Sequence, residues 1–356
     1  MKAFPILAGG TGMVLVGGSV AVSGHLADAP DLTVQALRYG VACLLLLAWA
    51  RRTRTALHRP RGREWLWLLG VTGAGLLVFN IALVHGARHA EPAVLGVAVA
   101  CVPILLAVGG PWLTGHAPAA RVLFAAGVVT LGAILVEGLG RADGAGVLWA
   151  VVTFACEALF TLLAIPVLGR HGPLGVSVHA TWLATVLFGV FGVLIEGPAA
   201  VLRLHLDDVL AGAYLAVAVT AVAFLLWYTC VARLGPGRAG LLTGVAPVSA
   251  ALTGMALGGP APRPLVWLGI ATVAAGLALG LTTHRRTPPG PDRAARSEQD
   301  LTVESESEPG AGAGGGAGGV ARSGRGSAER PGCGRRRSYR RGNLILGQAR
   351  SAGSRL

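Results

Sequence analysis

Glu157 is the one acidic residue deep within a long apolar run. At helical spacing, Thr153, Glu157 and Thr161 fall at i, i+4 and i+8, with Ala150 and Ala164 beside them. That makes one polar, small-residue stripe among Val, Leu and Phe. A charged carboxylate in hydrocarbon is expensive, and taking up a proton removes most of the expense. Two readings stay open: a proton-coupling or cation-binding site, or a protonated or paired side chain that only fixes helix packing. Arg38, with Gln35 one turn before it, also has two readings. It can snorkel to the interface, or point inward to hold an anion or a carboxylate such as Glu157.

Softer signals surround these two residues. Ser177, Thr181 and Thr185 form a second i, i+4, i+8 stripe, with His179 and Trp182 nearby. Asn80, Trp227 and Tyr228 also lie inside apolar runs, and such groups suit the wall of a pocket for small organic solutes. Ser and Thr equally often just bond helix to helix. Pro103 and Pro247 sit mid-run, where each frees a backbone carbonyl and bends its helix. No catalytic pattern is present: no phosphate loop, no HExxH and no Cys/His zinc cluster. No catalytic residue, cofactor or metal is therefore expected.

The elements that must position these residues follow from composition. Of 356 residues, 53% are hydrophobic and only 13% charged, and the mean hydropathy is +0.63. The charged share is about half that of an ordinary soluble protein, which excludes a soluble enzyme. The five cysteines show no paired spacing, which excludes a disulfide scaffold. Apolar runs predict ten spans, at 3–22, 32–50, 65–85, 92–110, 120–138, 145–168, 174–195, 208–233, 238–257 and 265–283. Lipid offers the backbone no hydrogen-bond partner, so these must be helices.

Charge gives the orientation. The net charge is +13, and loop 51–64 alone carries six Arg and one Glu. Basic loops stay in the cytoplasm, so both termini are expected inside. Lys2, Arg121, Arg170, Arg233, Arg238, Arg285 and Arg286 then join the inside loops. Only Arg88, Arg141, Arg203 and Arg263 fall outside. The basic charge is read here as that of cytoplasmic loops, and no nucleic-acid partner is expected.

The two halves echo each other. Pro92/Pro236, Pro103/Pro247 and Pro118/Pro262 are each 144 apart, as are Gly96/Gly240 and Gly110/Gly254. Five spans is an odd number, so a second copy enters the membrane upside down. Inverted repeats are the plan of secondary transporters, with the substrate site near mid-membrane between the copies. Residues 287–356 change character: an acidic stretch, a Gly-rich linker, then eight Arg and one Glu over 322–341. They cannot bury a core and are expected to form a disordered cytoplasmic tail.

On these residues the chain resembles the EamA-type branch of the drug/metabolite transporter superfamily. The resemblance covers about residues 3–283. It rests on the ten short spans, Leu37-Arg38-Tyr39, the Gly-rich third span ending at Asn80, the small-residue run into Val102-Pro103 and its echo Ala246-Pro247. It implies a transporter of amino acids, bases, drugs or other metabolites, mostly outward, without a cofactor. The family often carries a Glu after its fourth and ninth spans. Here those places read Thr114-Gly115-His116 and Leu257-Gly258-Gly259-Pro260. Glu157 is not part of the general family pattern, so its role rests on physics alone.

The resulting expectation is an all-α integral membrane protein of ten transmembrane helices. It has two inverted five-helix repeats, 1–142 and 143–286, and a tail from 287 to 356. Its function is export by alternating access, with proton coupling as an option, from the inner (plasma) membrane. The partners expected are a small-molecule substrate, the bilayer and protons; a homodimer stays open. Two alternatives remain: a membrane-embedded transferase acting on lipid, and a structural or sensory protein whose Arg-rich tail recruits a partner.

Overall fold

The computed structural model describes residues 3–19, 22, 26, 29–259 and 261–282. Among them every regular element is helical, and the one sheet-like pairing is an isolated bridge between Ala90 and Ala142. The expected tail, Lys2, most of residues 20–28, Arg285 and Arg286 lie outside the described residues. Among the described residues nine helices are long and apolar enough to cross a membrane: α2 (Asp31–Arg52), α3 (Glu64–Gly86), α4 (Pro92–Leu113), α5 (Ala120–Glu137), α6 (Gly144–Leu162), α7 (Ile165–Ile195), α8 (Leu206–Leu234), α9 (Pro236–Ala256) and α10 (Pro264–Leu281). A shorter apolar helix, α1 (Ala3–Gly18), precedes them; its 16 residues rise only about 24 Å.

Prolines and glycines account for the interruptions. α4 breaks at Cys101, just before Pro103, whose missing N–H leaves the Val99 carbonyl without its usual donor. α9 tightens into a 3-10 turn at Leu242–Gly244, just before Pro247. Both expected helix breaks therefore fall at corresponding places. The sixth span was expected to run to residue 168, but α6 stops at Leu162. Pro166 explains the difference, because its ring would clash with the Leu162 carbonyl in a continuous helix. α7 starts at Ile165 and is kinked at Gly172, which takes φ 67° and ψ 173° immediately before Pro173. α3 and α8 each contain a π turn, at Gly73–Val78 and Leu215–Val222.

The helices contact in a regular scheme: α2 against α7, α4 against α9, α5 against α10, α1 against α8 and α9, and α6 against α3 and α4. Moving every helix five places along the chain maps the first three pairs onto themselves and the two pairs of α1 onto those of α6. Glycine makes the closest approaches possible. A Cβ at Gly132 of α5 would lie 2.6 Å from the Val273 amide nitrogen of α10, and one at Gly269 would lie 2.7 Å from the Gly132 carbonyl. The aromatic and aliphatic core joins α2, α3, α6, α7 and α8 around Tyr39, Phe160, Phe188 and Tyr228.

Candidate functional site

Asp143 caps α6 by accepting the Gly146 amide (2.7 Å), which sets the phase of the stripe that follows. Val147, Leu148 and Val151 are 54, 62 and 55% exposed and face the lipid side. Thr153 and Thr161 are 0 and 2% exposed and face inward. Glu157 lies between those two buried threonines and is itself half-buried. Among the described residues it forms no hydrogen bond and no ion pair. It lies within electrostatic reach of the Tyr39 and Tyr228 hydroxyls.

α8 closes one wall. Trp227 Nε1 donates to Thr161 Oγ1 (2.9 Å) and the Tyr228 hydroxyl donates to the Phe160 carbonyl (3.2 Å). Phe160, Phe224 and Tyr228 form one ring cluster, with centroids 4.9–6.4 Å apart. Tyr39 of α2 stacks on Phe188 of α7 at 5.4 Å. Thr153 itself donates back to the Trp149 carbonyl (2.9 Å). The structure thus brings Glu157, Thr153, Thr161, Trp227 and Tyr228 together.

The other candidates are placed differently. Arg38 Nε donates to Thr220 Oγ1 in the α8 π turn (2.8 Å), and its other arm bonds Gln35 Oε1 (3.2 Å). Among the described residues no ion pair joins it to Glu157. Asn80 follows the α3 π turn, and its buried Oδ1 lacks a partner. A Cβ at Gly75 would meet Phe160 and one at Gly86 would meet Trp149, so α3 and α6 run antiparallel, with Asn80 at about the depth of Ala155. His179 and Trp182 serve elsewhere. Trp182 Nε1 donates to His179 Nδ1 (3.1 Å), so His179 carries its proton on Nε2 and donates it to the His58 carbonyl (2.9 Å). Ser177, Thr181 and Thr185 each donate to a carbonyl four residues back in α7.

Several groups emerge only from the structure. Tyr39 is one; its place beside Arg38 in the sequence was the available signal. Glu137, at the end of α5, is half-buried with its carboxyl against Gly96 of α4. Arg170 grips both oxygens of Glu64 (2.6 Å each), and the fully buried His171 ring approaches Glu64 Oε2 at 3.3 Å. Nothing in the local sequence relates residues 106 positions apart. A pocket of about 670 Å³ opens where α7 ends and α2 and α8 begin, lined by Pro30, Glu196, Arg203, His205 and Asp208 among others, and Glu157 does not line it. Among the described residues no group of three or more His, Cys, Asp or Glu could hold a metal.

The EamA-like transporter family profile matches residues 3–138 and again residues 144–282. The chain belongs to the EamA-like transporter family. The uncharacterized transporter YetK of Bacillus subtilis (strain 168) is 26% identical over 277 residues, covering 74% of this chain and 83% of that protein. A crystal structure of another protein matches the fold with a TM-score of 0.66 at 18% identity, covering 78% of this chain and 96% of that one. The protein is a multi-pass membrane transporter of tandem-repeat type, in a family of transporters and not of enzymes.

Proposed function

We propose that this transporter exports small metabolites, amino acids or drugs by alternating access, driven by protons that Glu157 takes up and releases. The observation that carries the proposal is the Glu157 carboxyl. It lies on the stripe between two buried threonines, half-buried, and among the described residues no hydrogen bond or ion pair commits it. A structural carboxyl would be satisfied, because an unpartnered buried one costs free energy without return. A carboxyl that must change charge state during a cycle is held this way. The aromatic wall of Tyr39, Trp227 and Tyr228 beside it suits small organic substrates.

The symmetric helix pairing supports two five-helix copies, α1–α5 and α6–α10, inserted in opposite senses. Rocking of one copy against the other would expose Glu157 to each side in turn. Ten spans, counting α1, leave both termini in the cytoplasm of a cell whose plasma membrane holds the protein.

Glu157→Gln keeps the shape and cannot titrate. The variant is expected to fold, bind substrate and exchange it in counterflow, while pH-driven transport in vesicles falls to background. Transport driven by a pH gradient at the wild-type rate would sink the proton role.

A further inference from the structure

The loop between α2 and α3 holds a charge pattern that transport leaves unused. Arg51, Arg52, Arg54, Arg59, Arg61 and Arg63 are all exposed, and among the described residues none of their guanidiniums has a hydrogen bond or ion pair. The one acid nearby, Glu64, is already taken by Arg170 and by the Arg61 amide. A run of like charges with no counter-charge normally stays loose. This one is pinned. The His58 carbonyl is held by His179 (2.9 Å), the Arg59 carbonyl by Arg170 (3.4 Å), and the Arg61 amide by Glu64 (2.8 Å). Leu57 packs on a cluster with Ala42, Leu46 and Val178, and Pro60 is buried.

The α2 C-terminus repeats the pattern. The Thr55 amide closes onto the Ala50 carbonyl (2.9 Å), with Arg54 at φ 52° in the left-handed position between them. Glycine is the unstrained residue there, and an arginine stands in its place. Exposed Trp49 and Leu66 flank the loop, where an interfacial tryptophan suits the edge of the hydrocarbon. Guanidiniums carried on this pinned backbone at the end of a membrane-spanning helix would stand near the depth of lipid phosphates.

We propose that Arg51, Arg52 and loop 53–63 form a seat for anionic phospholipid headgroups. Guanidinium forks match phosphate oxygens in pairs, and a leaflet supplies them at high density. Because the seat is tied to α3 through Glu64 and to α7 through Arg170 and His179, a bound headgroup would brace the junction of those helices. The proposal rests on the membrane-spanning reading and not on Glu157.

The test uses the full-length chain in detergent, titrated with phosphatidylglycerol or phosphatidylcholine, with retained lipids counted by native mass spectrometry. The wild type should retain phosphatidylglycerol at least about tenfold better. Replacing all six arginines with Gln should bring the two lipids level. Arg88→Gln/Arg141→Gln/Arg203→Gln, on other loops, should change nothing. If the sixfold variant fails to insert, Arg54→Gln/Arg59→Gln/Arg61→Gln should still weaken phosphatidylglycerol retention about threefold. Unchanged retention in the loop variants would overturn the proposal. So would full displacement of the lipid by matched inorganic phosphate, which would mark a free-phosphate site, or by oligouridylate, which would mark a nucleic-acid site.

Discussion

Thr161 shows how much one hydroxyl can matter next to Glu157. It accepts the indole N–H of Trp227, and both groups are buried. Thr161→Val leaves that N–H without a partner, at a cost of about 1–3 kcal/mol. Thermal unfolding in detergent should show the loss. Adding Trp227→Phe should cost less than the sum of the two single changes, because the orphaned donor is gone. Full additivity would mean the bond contributes nothing. The Thr153–Glu157–Thr161 stripe is legible in the sequence, because a spacing of four needs no knowledge of neighbours. Its cover is not legible, since Trp227 lies 66 residues away from Thr161 and only tertiary packing brings it there. The same limit explains Arg38. Its charge suggests a carboxylate, but the α8 π turn offers Thr220 at the same depth, and the neutral partner takes it. For His179 the helix position is readable, but the folded-back loop whose His58 carbonyl it bonds is not.

At the scale of elements, glycines decide which helices meet. Gly132 faces backbone atoms of α10 that cannot move aside, whereas a Cβ at Gly127, on the same helix, would meet nothing within 4 Å. Gly132→Leu should push α5 from α10 and cost about 1–3 kcal/mol or more, while Gly127→Ala should be neutral or slightly stabilising. Melting temperatures of the two variants should separate accordingly; equal behaviour would deny that this contact controls stability. The loops joining α3 to α4 and α5 to α6 make a second contact. The Glu91 amide donates to the Arg141 carbonyl and the Asp143 amide to the His89 carbonyl, and the side chains repeat the pairing. The Arg141 guanidinium beside Glu91 holds its carboxyl below the usual range. The Gly146 amide, and then His89, do the same for Asp143. A lowered folded value means that this support is present above the ordinary carboxylate range and lost as pH falls through the folded value. The melting-temperature deficit of Glu91→Gln/Asp143→Asn should therefore be seen at neutral pH and vanish in strong acid. A deficit that persists unchanged in acid would assign it to shape and not to charge. Most element positions are readable from apolar runs. The exception at α6 and α7 comes from Pro166 and Gly172, two local breakers inside a continuously apolar stretch.

For the whole molecule, the proposed inversion ties charge to symmetry. The pairings of α2 with α7, α4 with α9 and α5 with α10 place each helix against its counterpart in the other repeat, as expected for two copies about a central axis. In parallel copies the α2–α3 loop and its counterpart between α7 and α8 would lie at the same face. In inverted copies they lie at opposite faces. The two loops differ in the way inversion requires: 51–63 carries six Arg and no acid, whereas 196–205 holds one Glu and one Arg. The contacts agree with that separation. Loop 53–63 touches the start of α3 and the first turns of α7, while Glu196 caps the far end of α2 through the Leu32 and Thr33 amides (2.8 and 2.9 Å). A membrane-impermeant thiol reagent should therefore label a cysteine introduced at Thr55 from one side only and one introduced at Val201 from the other. The Thr55 site should react in inside-out vesicles and the Val201 site in intact cells or spheroplasts, because the arginine-rich loop is the one retained inside. Labelling of both sites from the same side would exclude the inverted arrangement. Labelling from opposite sides but in the reverse sense would keep the inversion and overturn the orientation, and the assignment of outward transport would then need its own measurement.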